Sequence, residues 1–318
     1  MIFAARGLLV SLAFFATVYC PLSLLALLIW RRLVRMGLSS ANFLFGLRIF
    51  SFTVSIAATV FFAFPSFWLM ERATLDEDAA TFVLAACSLV ILSAGLSRLL
   101  KAQARTTSAV TNWSMGSRSM GSKSMGPANA GSEPRTPAPS MSAANGAPAM
   151  ILAGIRRPKV MVSDMAATVL SDDEMRMAVR HELGHMRSCD NLKKALISAI
   201  PFPGMSGLEN AWREAAELAA DDAAVANRQD ALDLASALIK LSRSSKQWSE
   251  PALASGFVSG WSSIGLRVKR LLEWRMARRR LQRSWPWTLL LIAIIAAVAG
   301  NYGATLVLTH RLTEFLVP

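Results

Sequence analysis

Four stretches of this 318-residue chain, 7–30, 49–70, 79–97 and 284–309, contain no Asp, Glu, Lys or Arg. A membrane-crossing helix needs about 20 predominantly apolar residues at about 1.5 Å rise each. Each stretch therefore predicts a transmembrane helix, the third being the shortest. The Gly, Pro and Ser residues inside them are compatible with crossing, because neighbouring helices satisfy the freed backbone groups. The first run is longer than the apolar region of about 7–15 residues in a secretory signal, and Arg31, Arg32 and Arg35 follow it directly. It reads as a retained anchor.

Between the third and fourth runs the pattern changes twice. SMGSR, SMGSK and SMG follow one another from Ser114 to Gly126, and Pro, Ala, Ser and Gly dominate from there to Pro148. Such a composition cannot bury enough apolar surface to offset the entropy of ordering, so 101–149 reads as a flexible low-complexity linker. Residues 150–283 then return to the mixed pattern of a compact domain, long enough to hold its own core. Two short apolar runs, 150–155 and 159–163, flank Arg156, Arg157 and Pro158 and predict a pair of strands around a turn. Ser171 stands three residues before Glu174, a capping box that predicts a helix running to about Arg187. Asp172 and Asp173 reinforce it with negative charge at the helix N-terminus. Further helices are expected over 208–227, 230–242 and 265–283. The expected plan is three membrane helices within 1–100, the linker, the domain, a fourth crossing and a short tail, 310–318. The fold class is mainly α, with four transmembrane helices and an α+β domain containing a small sheet.

Composition sharpens this plan. Lys and Arg number 34 against 21 Asp and Glu, a formal charge of +13, yet only 17% of residues are charged and 53% are hydrophobic. Ordinary soluble domains carry roughly 25% charged residues. A mean hydropathy of +0.38 therefore argues against both a soluble basic protein and a disordered chain. The charge is segregated. Arg31, Arg32, Arg35 and Arg48 lie between the first two runs, and Arg98, Lys101 and Arg105 follow the third. The second loop instead carries Glu71, Asp76, Glu77 and Asp78 against Arg72. Before the fourth run, Arg267, Lys269, Arg270, Arg275, Arg278, Arg279, Arg280 and Arg283 face only Glu273. Because basic loops stay in the cytoplasm, the expected topology has the N-terminus outside and the 150–283 domain cytoplasmic. The setting is a bacterial-type inner membrane crossed several times. Trp285 and Trp287 fit an aromatic belt at its inner face. A basic run against a hydrophobic span points to anionic-lipid contact, and no nucleic-acid partner is expected.

The candidate chemistry lies inside the capped helix, at His181-Glu182-Leu183-Gly184-His185. Residues four apart share a helical face, so the two imidazoles can bind one zinc ion. Glu182 can act beside them as general base to a water. The chain has only three histidines, and two of them stand at this spacing. A catalytic zinc needs a third protein ligand. A metzincin would place glycine and histidine where this chain has Ser188 and Asn191. Glu217 is the expected third ligand, with Glu214 as the alternative. Asp221, one turn beyond Glu217, would accept the free N–H of a ligand histidine. Cys189 continues the histidine face by one turn and reads as a helix-end residue. Cys20 and Cys87 lie within spans and imply no disulfide framework.

The HELGH helix, the Glu217-Leu-Ala-Ala-Asp221 helix and three spans before with one after resemble the BlaR/MecR-type integral-membrane metallopeptidases. The strand pair around 156–158, the 170–180 approach and Asp190 after the motif share in that resemblance. It implies a gluzincin-like domain in which His181, His185 and Glu217 bind zinc, Glu182 activates water and Asp221 orients a ligand. It also implies a protein or peptide substrate. Arg267, in Arg267-Val-Lys-Arg-Leu271, resembles a late arginine segment of the broader group, which implies support of the oxyanion; as sequence alone, it reads first as a plain juxtamembrane charge. Membrane proteases of the HtpX and CAAX-processing type share both motifs. Only about nine residues follow Thr309, so the penicillin-binding sensor domain of the antibiotic sensors is not expected. The expected function is zinc endopeptidase action at the cytoplasmic face, on a repressor-like or other signalling protein. Membrane-protein quality control and a catalytically silent adaptor are the alternatives.

Overall fold

Uncharged runs and capped amphipathic stretches make the chain mainly helical; the described residues include three helices long and apolar enough to cross a membrane and one small sheet. The structure is a computed structural model that describes residues 2–70, 79–120, 150–155, 158–244, 254–256, 261–274 and 300–316. It divides into two compact units. One comprises Met1–Leu96, Ala199–Glu209 and Ala277–Pro318, and the other Ser97–Ser198 and Asn210–Met276.

The first unit contains α1 (Ile2–Arg35), α2 (Ala41–Ala58), a π-helical turn (Thr59–Ala63), α3 (Phe64–Met70) and the start of α4 (Ala79–Met120). Its apolar helices, Phe3–Arg35, Ala41–Met70 and Ala79–Ser108, contain the first three uncharged runs. Pro65 explains the π turn. It has no N–H to offer the Phe61 carbonyl four residues back, and its ring crowds that carbonyl. The backbone widens by one turn before it, and the freed Phe61 carbonyl accepts the Tyr302 hydroxyl at 3.0 Å. Between helices, Ser88 donates to the Leu12 carbonyl at 2.5 Å, the sort of polar tie that apolar surroundings favour. The expected fourth crossing lies outside the described residues over 284–299; its remainder meets the helix Tyr302–Leu316. The acidic loop 71–78, the segment 121–149, Arg156, Arg157 and the basic residues of 275–283 also lie outside them.

The second unit is built on an antiparallel sheet of order β2-β1-β3. The strands β1 (Met150–Ala153) and β2 (Lys159–Val162) pair from Met150↔Val162 to Ala153↔Lys159, around the turn that the sequence pattern predicts. Strand β3 (Ala254–Gly256) pairs with the other edge of β1. Helices α5 (Asp164–Val169), α6 (Asp172–Arg187), α7 (Asp190–Ala199), the greater part of α8 (Ser206–Ala224), α9 (Arg228–Ser244) and α10 (Trp261–Leu272) complete it. The core joins Met150 and Val162 from the sheet, Met177 and Ala178 from α6, Leu234, Leu238 and Leu241 from α9 and Leu271 from α10. The sequence pattern does not single out α5, α7 or β3. The first and last are too short to show a period, and α7 is hidden by its break from α6. That break is Cys189, at φ 54°. A left-handed residue just past the last turn ends a helix, and only rarely is it neither Gly nor Asn.

The capping box forms as its spacing predicts: Glu174 N donates to Ser171 Oγ at 3.3 Å, and Ser171 N donates to Glu174 Oε2 at 2.8 Å. Glu174 also accepts from Ser236 at 2.5 Å and Lys240 at 2.8 Å, so one carboxylate both starts α6 and ties it to α9. Burial works against its charge, but the hydrogen bonds from Lys240, Ser236 and the Ser171 N–H outweigh that and hold its pKa below the usual range. A carboxylate whose pKa is depressed by folding adds stability above its unfolded value, and that stability is lost as pH falls through the folded value. Glu174→Gln should therefore cost about 1–3 kcal/mol at neutral pH. The gap to wild type should close below about pH 4. Denaturant unfolding of the full chain in detergent across this range measures both.

Candidate metal centre

Two helices supply the inner groups. His181 and His185 lie one turn apart on the buried face of α6, and Glu217 and Asp221 lie one turn apart on α8. The helices come together at Gly184, where an added Cβ would stand 3.2 Å from the Ala220 Cα. Glycine on one side and alanine on the other let the side chains flanking this crossing meet. His181 Nε2 and His185 Nε2 are 3.1 Å apart, and Glu217 Oε2 and Oε1 stand 3.5 and 3.6 Å from them. Among the described residues these three form the group able to hold a metal ion. Donors placed tetrahedrally at zinc distances are separated by about 3.3–3.4 Å, so the arrangement fits such an ion. Glu214, the alternative third ligand, is exposed, as is Cys189.

Each imidazole is held from behind. His181 Nδ1 faces Asp221 Oδ1 at 2.9 Å, and His185 Nδ1 meets Asp190 Oδ2 at 2.7 Å. A carboxylate on Nδ1 fixes the proton there and turns Nε2 toward the ligand position. Asp190 is five residues from His185, and on a continuous helix it would point about 140° away. The Cys189 break turns it back. No spacing rule reveals this contact, although Asp190 belongs to the stretch that resembles the metallopeptidases.

Arg267 is also part of the cluster. It is 1% exposed, and its Nε and Nη2 donate to Asp221 at 2.9 and 2.7 Å while Nη1 donates to Glu217 Oε2 at 2.9 Å. It lies with Ile264, Val268 and Leu271 on the packed face of α10. A charge set into an apolar stripe at 264, 268 and 271 is the sequence signal that separates it from its basic neighbours. Arg270, by contrast, is exposed and pairs with Asp222 at 2.7 Å.

The electrostatics follow from four buried carboxyl groups: Glu217 and Asp221 held by Arg267, Asp190 held by His185 and Lys193, and Glu182. Burial opposes charge on His185, but the Glu217 carboxylate and the Asp190 hydrogen bond outweigh it and raise its pKa to about 10. Burial likewise disfavours the Glu217 carboxylate, yet His185 and Arg267 hold it well below the usual range. For Asp221 the same contest is decided mainly by Arg267. Arg267 on Glu217 and Asp221, and Lys193 and His185 on Asp190, thus offset part of the buried negative charge, and a divalent cation would add to the same positive side. Removing one member of a buried ion pair costs about 3–5 kcal/mol. Arg267→Met should lower the unfolding free energy of the metal-free chain by that amount, and excess divalent metal should restore part of it. Denaturant titration with and without metal reads both.

Residues 135–271, less than half of the chain, match the family model described as BlaR1 peptidase M56. The match includes His181, Glu182, His185, Asp190, Glu217, Asp221 and Arg267. No curated protein and no solved structure matches the chain. Together with the three apolar helices, the family match supports a membrane metallopeptidase whose substrate is a protein or peptide.

Proposed function

We propose that this chain is an integral-membrane zinc endopeptidase working at the cytoplasmic face, where it cleaves a repressor-like or other signalling protein. The observation that carries the reading is the His181, His185 and Glu217 group, whose donor separations suit one tetrahedral ion. Zinc bound there supplies Lewis acidity toward a carbonyl and a lowered pKa for water. The remaining work belongs to the chain. Glu182, fully buried beside His181, accepts the proton of the attacking water and returns it to the leaving amine. Asp221 and Asp190 keep the two Nε2 atoms aimed. Arg267 fixes the Glu217 and Asp221 carboxylates against each other. In that role it is a positioning group. An extended substrate pairs with the outer edge of β2, which no described strand occupies, whereas both edges of β1 are taken. Anionic lipid at the inner face receives the basic segment, and the N-terminus lies outside.

Purified wild type and Glu182→Gln should carry the same zinc, while the variant loses cleavage of a peptide library by about 100-fold or more. Equal cleavage by the two would refute the mechanism. Glu217→Ala should lower bound zinc, and unchanged stoichiometry would move the third ligand elsewhere.

Metal uptake should also be linked to pH. With its pKa raised to about 10, His185 carries a second proton at neutral pH, and the metal must displace it. Affinity should therefore rise with pH up to about that value. Calorimetry in buffers of differing ionisation enthalpy should report release of about one proton per ion.

A further inference from the structure

Arg48 lies on α2, within the second apolar helix, and is only 2% exposed. A buried charge in such a helix is costly and is kept where a specific partner meets it. Its partner is Glu209: Arg48 Nε and Nη2 donate to Oε1 at 3.1 and 2.9 Å, and Nη2 also donates to the Ile200 carbonyl. Both acceptors belong to the segment Ala199–Glu209, which packs in the first unit although the residues on either side of it belong to the second. Other helices hold the same segment. Tyr19 on α1 donates its hydroxyl to the Pro201 carbonyl at 3.0 Å and meets the Phe202 ring edge-on at 5.7 Å. Gly95 on α4 approaches the Ala199 carbonyl so closely that a Cβ there would stand 2.1 Å from the oxygen.

The helices on either side of this segment lead to the metal centre. The segment begins at the last residue of α7, whose first residue is Asp190, the partner of His185. It ends in the first turn of α8, one uninterrupted helix on which Glu217 and Asp221 follow Glu209. Eight residues of helix span about 12 Å and transmit a shift or rotation of one end to the other. We propose that Arg48 is a positioning residue: through Glu209 it fixes the start of α8, and so sets Glu217 and Asp221 for metal binding. The inference rests on the zinc-site reading above. It goes beyond that reading in making a membrane helix part of the machinery that shapes the site.

The test uses the full chain in detergent or nanodiscs and Zn2+ as the probe, with affinity read by chelator competition. Arg48→Gln and Glu209→Gln should each weaken zinc binding by about 2- to 30-fold. They should also raise hydrogen exchange of the α8 amides around Glu217. The charge-swapped R48E/E209R should recover much of the affinity, which general loosening of the first unit would not produce. Tyr19→Phe, which removes one hydrogen bond from the same segment, should give a smaller loss, near 2-fold, and serves if the charge variants do not fold. Folded variants with wild-type zinc affinity and unchanged α8 exchange would overturn the proposal, leaving the pair as a tie within the first unit. Should wild type bind no zinc, the metal reading fails. Exchange at α8 in the metal-free variants then decides the coupling alone, with unchanged protection overturning it.

Discussion

The candidate metal centre depends on the crossing of α6 and α8 at Gly184 and Ala220. It is narrow enough to bring two imidazoles and two carboxylates from separate helices into one buried cluster. A larger side chain at either position would hold the helices apart, and the groups would face an interhelical layer of ordinary core. Close helix contact is usually a matter of packing density. Here it also sets the 3.1–3.6 Å separations on which any shared ion depends.

A cluster of this kind is unstable as a set of isolated charges, since each buried ion is strongly disfavoured without partners. Arg267 and the proton on His185 supply those partners in the metal-free chain. That gives α10 a structural reason to pack against α9 with an arginine on its apolar face. The arrangement also explains why the carboxylates behind the rings come from different elements. Asp221 is delivered by helical periodicity on α8, and Asp190 by the left-handed break at Cys189. These side chains then form one network, joined where the His181 and His185 Nε2 atoms stand 3.1 Å apart.

The first unit applies similar physics in apolar surroundings. Pro65 frees a carbonyl and Tyr302 satisfies it; Arg48 brings a buried charge and Glu209 answers it. In each case a polar group that water would otherwise solvate is matched by a distant part of the chain. Such matches are directional and few, and they therefore specify which segments meet. The segment between α7 and α8 is the clearest case, because its ties run to α1, α2 and α4 while its flanking helices belong to the metal centre.

Local chemistry made much of this legible in the sequence. Uncharged runs disclosed three apolar helices, the Ser171 and Glu174 spacing disclosed the start of α6, and the i, i+4 histidines with Glu217 and Asp221 disclosed two turns that could meet. These features repeat at helical period or depend on neighbours within four residues, so the backbone alone sets their geometry. Other features depend on turns and packing that no period encodes. The return of Asp190 to His185 needs the Cys189 break, and the burial of Arg267 needs α10 to pack against α9. Arg48 read as one loop charge among several, because its partner lies 161 residues away. The sequence by itself determined which helices form and which residue types can hold a metal. Only the tertiary structure decided which charges are buried together, because burial and pairing arise where distant segments exclude water from one another.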